Sequence, residues 1–322
     1  MTSTSPERSD FESIEPRARE LSALMPNLIL SAKQIAQTLV HGSHGRKRAG
    51  PGETFWQFRP YESFEPAHRI DWRRSASSDH LYVREREWDT AHTFWIWIDL
   101  SSSMWFSSKL AKQKKAERAL LFGLSVAELL VRSGERVGIL GAMRPTMDRD
   151  IVPRIAERLV TGFETNPNLK RLPAHEETGR FSELILISDF LDPMEQLLSD
   201  IRRLGGNQVG GTLMQIIDPA EESFPYSGRV EFKDMGQSEK VVVENAGTIA
   251  ERYKTLFHQR KSQLSETARG LNWGHLICHT DRPAREGMLT LHGFLSSHYY
   301  ATGAMSHESK GQSSSANQRD VI

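Results

Sequence analysis

The chain has 322 residues, 38% of them hydrophobic and 25% charged, an ordinary globular composition with room for one large domain and a smaller one. Forty-one residues of each charge sign cancel to a formal net charge of zero, so no global field draws the protein to nucleic acid or to a membrane surface, and no apolar run approaches the ~20 residues of a membrane-spanning helix. One cysteine, Cys278, excludes an intramolecular disulfide, and the polar start from Met1 to Glu15 has no signal-peptide core; both point to the cytoplasm.

Residues 1–17 are polar and are expected to be disordered. Leu28 to Val40 carries Leu30, Ile35 and Leu39 at helical spacing, which predicts a helix. His41 to Arg48 then forms a basic, glycine-broken loop. Residues 49–90 are rich in aromatic and charged side chains and read as irregular, with short strands near Thr54–Phe58 and Leu81–Glu87. From there the pattern alternates. Strand His92–Ile98 leads to helix Lys109–Arg132, then strand Arg136–Ala142, helix Ile151–Val160 and a loop over Thr161–Pro173. Strand Leu184–Ser188, helix Pro193–Leu204 and strand Gln208–Ile217 follow. A small hairpin is expected from Arg229–Lys233 and Lys240–Glu244, with Gly236 in its turn. Helix Thr248–Leu271, strand His275–His279 and helix Arg285–Ser296 complete the series, and the tail over 301–322 reads as disordered. Strands alternating with helices predict an α/β fold, a doubly wound and mostly parallel sheet with helices on both faces. The expected units are residues 1–17, 18–90, 91–300 and 301–322.

In such a sheet, ligands bind at the carboxyl ends of the strands. Asp99-Leu100-Ser101-Ser102-Ser103 follows the apolar run Phe94 to Ile98 and places a carboxylate and two hydroxyls at alternate positions in one loop. A second apolar strand, Leu184 to Ser188, delivers Asp189 to the same edge. If the two strands are neighbours, Asp99, Ser101, Ser103 and Asp189 form a hard-oxygen set suited to Mg2+, with one ligand position open to a partner's carboxylate. The competing reading is a helix N-cap cluster, because Ser and Asp ahead of a helix satisfy its free N–H groups.

Asp-x-Ser-x-Ser after a hydrophobic strand, with Asp189 after a later one, resembles the metal-ion-dependent adhesion site of the von Willebrand factor type A fold. The preceding segment runs Gly52-Glu53-Thr54-Phe55, Arg59-x-Tyr61, Arg69-Ile70-Asp71-Trp72-Arg73-Arg74-Ser75-Ala76 and Leu81-Tyr82-Val83-Arg84-Glu85. That ordered set resembles the bacterial domain of unknown function 58 family, in which it leads into a von Willebrand A-like domain; the resemblance covers roughly residues 28–300. It implies a non-enzymatic protein-interaction module, an adaptor or co-chaperone working with a MoxR-type AAA+ ATPase or its client. Adhesion sites of this fold take a threonine from a loop between the two aspartate strands, for which Thr161 and Thr165 are the candidates, and a glycine after the second aspartate, where Phe190 stands here.

The other signals have plainer readings. Arg59, Arg69, Asp71, Arg73, Arg74, Arg84 and Glu85 interleave both charge signs and read as an internal ion-pair and cap network. Trp72, Trp88, Trp95 and Trp97 are expected in packing and Cys278 in a core strand. No Gly-x-Ser-x-Gly, His-Glu-x-x-His or phosphate-binding Gly-x-x-x-x-Gly-Lys sequence occurs, and Ser101 stands where an aspartyl-phosphate phosphatase needs a second aspartate. These absences argue against a hydrolase and assign any ATP chemistry to a partner.

Overall fold

The computed structural model describes residues 8–43, 55–61, 67, 70–76, 78, 80–86, 91–165, 172–173, 178–179, 182–206, 209–233 and 240–297. A six-stranded sheet forms its centre, built from β3 (Thr93–Ile98), β4 (Arg136–Ile139), β5 (Met143–Thr146), β6 (Ser182–Ser188), β7 (Gly210–Ile217) and β10 (Gly274–His279). The order is β10-β7-β6-β3-β4-β5, parallel except for the β4–β5 pair at one edge. The expected α/β architecture with a mostly parallel sheet is therefore present. β5 is an addition: strand Arg136–Ala142 was expected to run on, but the chain turns at Leu140–Ala142, with Gly141 at φ 77°, and doubles back.

Connections cover both faces of the sheet. α3 (Lys115–Arg132) links β3 to β4, and α4 (Ile151–Thr165) follows β5. Both share one apolar cluster with Met288 and Leu291, which lie on a helix over residues 284–297, here α8. On the opposite face, α5 (Met194–Leu204) and α7 (Ala250–Gly270) contribute Leu197, Ile201, Leu264 and Ala268 to a second cluster. The close seating of α3 on the sheet needs Gly123, since a Cβ there would lie 2.3 Å from Ile98 Cδ1. The helix begins at Lys115, not at Lys109: backbone turns fill 109–113, and Lys115 N–H reaches back to Phe106 O at 3.4 Å.

α1 spans Arg8–Ser43, much longer than the expected Leu28–Val40, with Pro16 and Pro26 inside it. Residues 8–17, expected to be disordered, form its first turns, and residues 1–7 lie outside the described part. Its buried face is Ala18, Leu21, Met25, Leu28, Ala32, Ala36 and Leu39, a stripe at three- and four-residue spacings, and it packs on α3 and α4 within the first cluster. Leu30 points to solvent at 59% exposure, contrary to the reading that placed it on the apolar face. Alanines supply three of the seven stripe residues, so a search by large apolar residues misses it. With α1 on its outer side and the sheet beneath, α3 is buried almost all round.

β1 (Phe55–Pro60) and β2 (Tyr82–Arg86) form an antiparallel pair, with the short helix α2 (Trp72–Ser75) between them. Asp71 acts as a cap here: Arg74 N–H donates to its Oδ1 at 3.0 Å, and its N–H donates to Tyr82 O at 2.8 Å. Trp72 is 63% exposed, which corrects the expectation that it packs inside. Gly52, Arg69 and Trp88, and the side chains of Arg59, Arg84 and Glu85, lie outside the described part. After β7, the unexpected helix α6 (Pro219–Ser223) precedes an antiparallel ribbon of β8 (Val230–Lys233) and β9 (Lys240–Val243). An aromatic cluster of Phe224, Tyr226, Phe232 and Tyr253 roots the ribbon on α7. The expected turn at Gly236 lies outside the described residues.

Candidate functional site

β3 and β6 are adjacent and in register through Ile98 and Ile187. The chain leaves β3 toward β4 on one side and later returns to β6 on the other, so the topological switch point lies between these two strands. Asp99 and Asp189 are the residues that β3 and β6 deliver there. Asp99 N–H donates to Ile187 O at 2.9 Å, which continues the sheet one residue past β3 and sets the two walls side by side. Both carboxylates are buried, at 1% and 3% exposure.

The Asp99 carboxylate accepts Ser101 N–H at Oδ1 (2.7 Å) and the Ser188 hydroxyl at Oδ2 (2.6 Å). Burial, and then the charge of Asp189, nevertheless push its pKa up to about 7, outweighing the hydrogen bonds from Ser188 and Ser101. Two buried carboxylates at adjacent strand ends each make the other's ionisation costlier. The Ser101 and Ser103 hydroxyls lie 3.1 Å apart, and Ser101 also bonds the Asp99 carboxylate. Neither hydroxyl caps the 3-10 turn Ser102–Trp105 that they enter, and α3 starts only at Lys115, with Lys114 at its cap position. The helix-cap reading of the two hydroxyls thus finds no capping bond.

The loop is held from several sides. Trp105 Nε1–H donates to Leu100 O at 3.3 Å, and Ser108 N–H donates to Asp218 Oδ2 at 2.7 Å, tying it to the end of β7. Asp189 Oδ1 accepts Leu191 N–H at 3.1 Å, and Gln215 Nε2–H from β7 donates to the Asp189 carbonyl at 3.2 Å. Phe190 adopts φ 53°, the left-handed region in which glycine is at ease. The backbone bend that a glycine would make is therefore kept by a phenylalanine. Its buried ring, its N–H on Ser188 Oγ at 2.9 Å, and Arg260 Nε–H on its carbonyl at 2.7 Å hold it there.

Sequence reasoning missed the cation in this corner. Lys115 is wholly buried; its Nζ lies 2.8 Å from Asp189 Oδ2 and also bonds Glu221 of α6. Burial alone would push its pKa down, but the charges of Asp189 and Glu221 prevail and hold it above the ordinary value. Lys109, Lys112 and Lys114 surround it in sequence, so it reads as one more solvated lysine. The signal that could have found it is Asp218-Pro219-x-Glu221, a capping box that fixes Glu221 beside the strand ends. Thr161 lies exposed on α4 and not in a loop, and the side chain of Thr165 lies outside the described part. Phe163 packs on Trp105 with ring centroids 6.0 Å apart, so the carboxyl end of α4 borders the Asp99 loop.

Among the described residues, no cluster of three or more His, Cys, Asp or Glu suits a metal ion. Any cation here needs the serine hydroxyls together with the acids. That donor set of hard oxygens suits a small divalent ion and not a soft one.

The model of the family described as "Protein of unknown function DUF58" matches residues 57–263. An uncharacterized protein of Mycobacterium tuberculosis strain H37Rv, Rv1480, is 23% identical over 279 residues, covering 82% of this chain and 86% of its own length. The uncharacterized protein Mb1516 of Mycobacterium bovis matches with the same figures. Among solved structures, the conserved hypothetical protein BatB from Bacteroides thetaiotaomicron aligns over 65% of this chain and 100% of its own, at 12% identity and a TM-score of 0.35, a likeness too low to carry an argument.

Proposed function

The chain belongs to the DUF58 family, and from that premise we propose that it is a non-enzymatic protein-interaction module of von Willebrand factor A-like architecture. Its recognition site is the β3–β6 corner, where Asp99, Ser101, Ser103 and Asp189 would hold Mg2+. The ion, when bound, supplies a positive centre that accepts a carboxylate from a partner protein. The supporting observation is the pairing of two buried carboxylates at the sheet's switch point, with the Ser101 hydroxyl bonded to Asp99 and to the Ser103 hydroxyl and not into a cap. The resemblance of the Arg69 to Ser75 segment carries the partner class, a MoxR-type AAA+ ATPase or its client. No helix among the described residues is long and apolar enough to cross a membrane.

Within this reading the protein's own groups have distinct tasks. Ser188 and the Ser101 N–H orient Asp99; Leu191 N–H and Gln215 orient the Asp189 segment. The Trp105 and Ser108 contacts anchor the loop to its own start and to the end of β7. A second reading, a metal-free adaptor of the same fold, is favoured by one observation: Lys115 already compensates Asp189.

Capture of the ATPase by the full chain, with Mg2+ and with chelator, tests the first reading. Binding should require the metal and be lost in Asp99→Ala. Capture that persists in chelator, with no heat and no thermal shift at millimolar Mg2+, would establish the metal-free adaptor instead.

A further inference from the structure

A buried lysine is rare and persists where its charge is compensated. Lys115 has no exposed surface. Its Nζ sits 2.8 Å from Asp189 Oδ2 and bonds Glu221, and the Phe106 ring centroid lies 5.8 Å away. The carboxylate on one wall of the corner therefore already faces a cation. Two positive centres sharing one carboxylate repel, and burial leaves that repulsion weakly screened.

We propose that Lys115 is a resident counter-cation that sets the divalent-metal affinity of the corner, because its ammonium occupies Asp189 Oδ2 and opposes a second positive charge beside Asp99, Ser101 and Ser103. The inference rests on the cation-binding reading of that corner. Glu221 moderates the effect. It takes one of the ammonium's hydrogen bonds while its other oxygen, Oε2, accepts Asp218 N–H at 2.9 Å, which fixes it in place. Removing the Glu221 charge leaves the ammonium wholly to Asp189, whereas removing the ammonium frees Asp189. Two substitutions within one ion-pair cluster should thus move metal affinity in opposite directions. A lysine that served folding alone would lower stability without ordering the affinities in this way.

The test is calorimetric titration of Mn2+ into the full chain as wild type, Lys115→Met, Glu221→Gln and the double variant, with folding checked by circular dichroism. Lys115→Met should bind Mn2+ about tenfold tighter than wild type or better, the order expected on removing a unit charge several ångströms from a divalent ion. Glu221→Gln should bind more weakly than wild type. The double variant, which removes one charge of each sign, should bind more tightly than Glu221→Gln; this comparison stands in if Lys115→Met does not fold. Binding that appears only once Lys115 is removed also supports the proposal and makes the wild type metal-free. Equal or weaker binding by Lys115→Met, or by the double variant relative to Glu221→Gln, overturns it with the cation site intact. Silence in every folded variant overturns the cation reading itself.

Discussion

Asp99→Asn isolates the cost of keeping a carboxylate buried at the β3–β6 switch point. In the folded protein, burial and the neighbouring Asp189 raise the Asp99 pKa from 3.8 to about 7. The folded state therefore holds this proton more tightly than the unfolded state does. The resulting stability is fully present below about pH 4 and is lost as pH rises through about 7. At about 1.4 kcal/mol per tenfold difference in proton affinity, the whole loss is roughly 4 kcal/mol, of which more than half falls between pH 5 and pH 8. Asparagine keeps an acceptor for Ser101 N–H but does not ionise. Urea unfolding in chelator at the two pH values measures the effect. Wild type should lose roughly 2–3 kcal/mol more than Asp99→Asn on going from pH 5 to pH 8. The comparison cancels other titrating groups such as Glu183, whose pKa burial pushes up to about 7. Matching pH dependence in the two proteins would mean that the Asp99 charge is already compensated, and would remove the electrostatic case for a cation. Where the metal reading holds, Mg2+ should restore wild-type stability at pH 8 and do little at pH 5, where Asp99 is protonated.

Lys115→Met leaves the buried Asp189 and the partly buried Glu221 without a counter-charge and should cost roughly 3–5 kcal/mol in chelator, read by urea unfolding. Phe190→Gly relieves about 1 kcal/mol of left-handed backbone but empties a buried ring site, so a net loss of roughly 2–4 kcal/mol is expected; a stabilised variant would show that strain outweighs packing. Gly211→Ala brings a Cβ within 2.5 Å of the Trp273 ring and should cost about 1–3 kcal/mol by thermal or urea unfolding. Cys278 is buried, and burial pushes its thiol up to about 12, so iodoacetamide should leave it unmodified at pH 8 until the protein is unfolded.

Legibility followed the range of the determining interactions. The run Phe94 to Ile98 and the run Leu184 to Ser188 announce buried parallel strands because both faces of such strands are covered, and β3 and β6 stand where those runs lie. Helix periodicity likewise places α5 and α7 to within two residues of their observed ends. The positions of Asp99, Ser101, Ser103 and Asp189 at strand ends were readable for the same reason. By contrast, the alanine-rich stripe of α1 takes its meaning from the α3 and α4 surfaces that it meets, and the solvent position of Trp72 follows from how β1, α2 and β2 pack.

What the sequence determined by itself is the alternation of elements and the delivery of two carboxylates and two hydroxyls to the ends of strands, since both follow from local patterning. Only the tertiary structure decided that β3 and β6 are neighbours, that the Ser101 and Ser103 hydroxyls meet each other and not a cap, and that Lys115 faces Asp189. Each of these joins residues 74 or more positions apart, or depends on where α3 begins. A lysine's sequence neighbours do not reveal whether its ammonium meets water or a carboxylate; the strand order does.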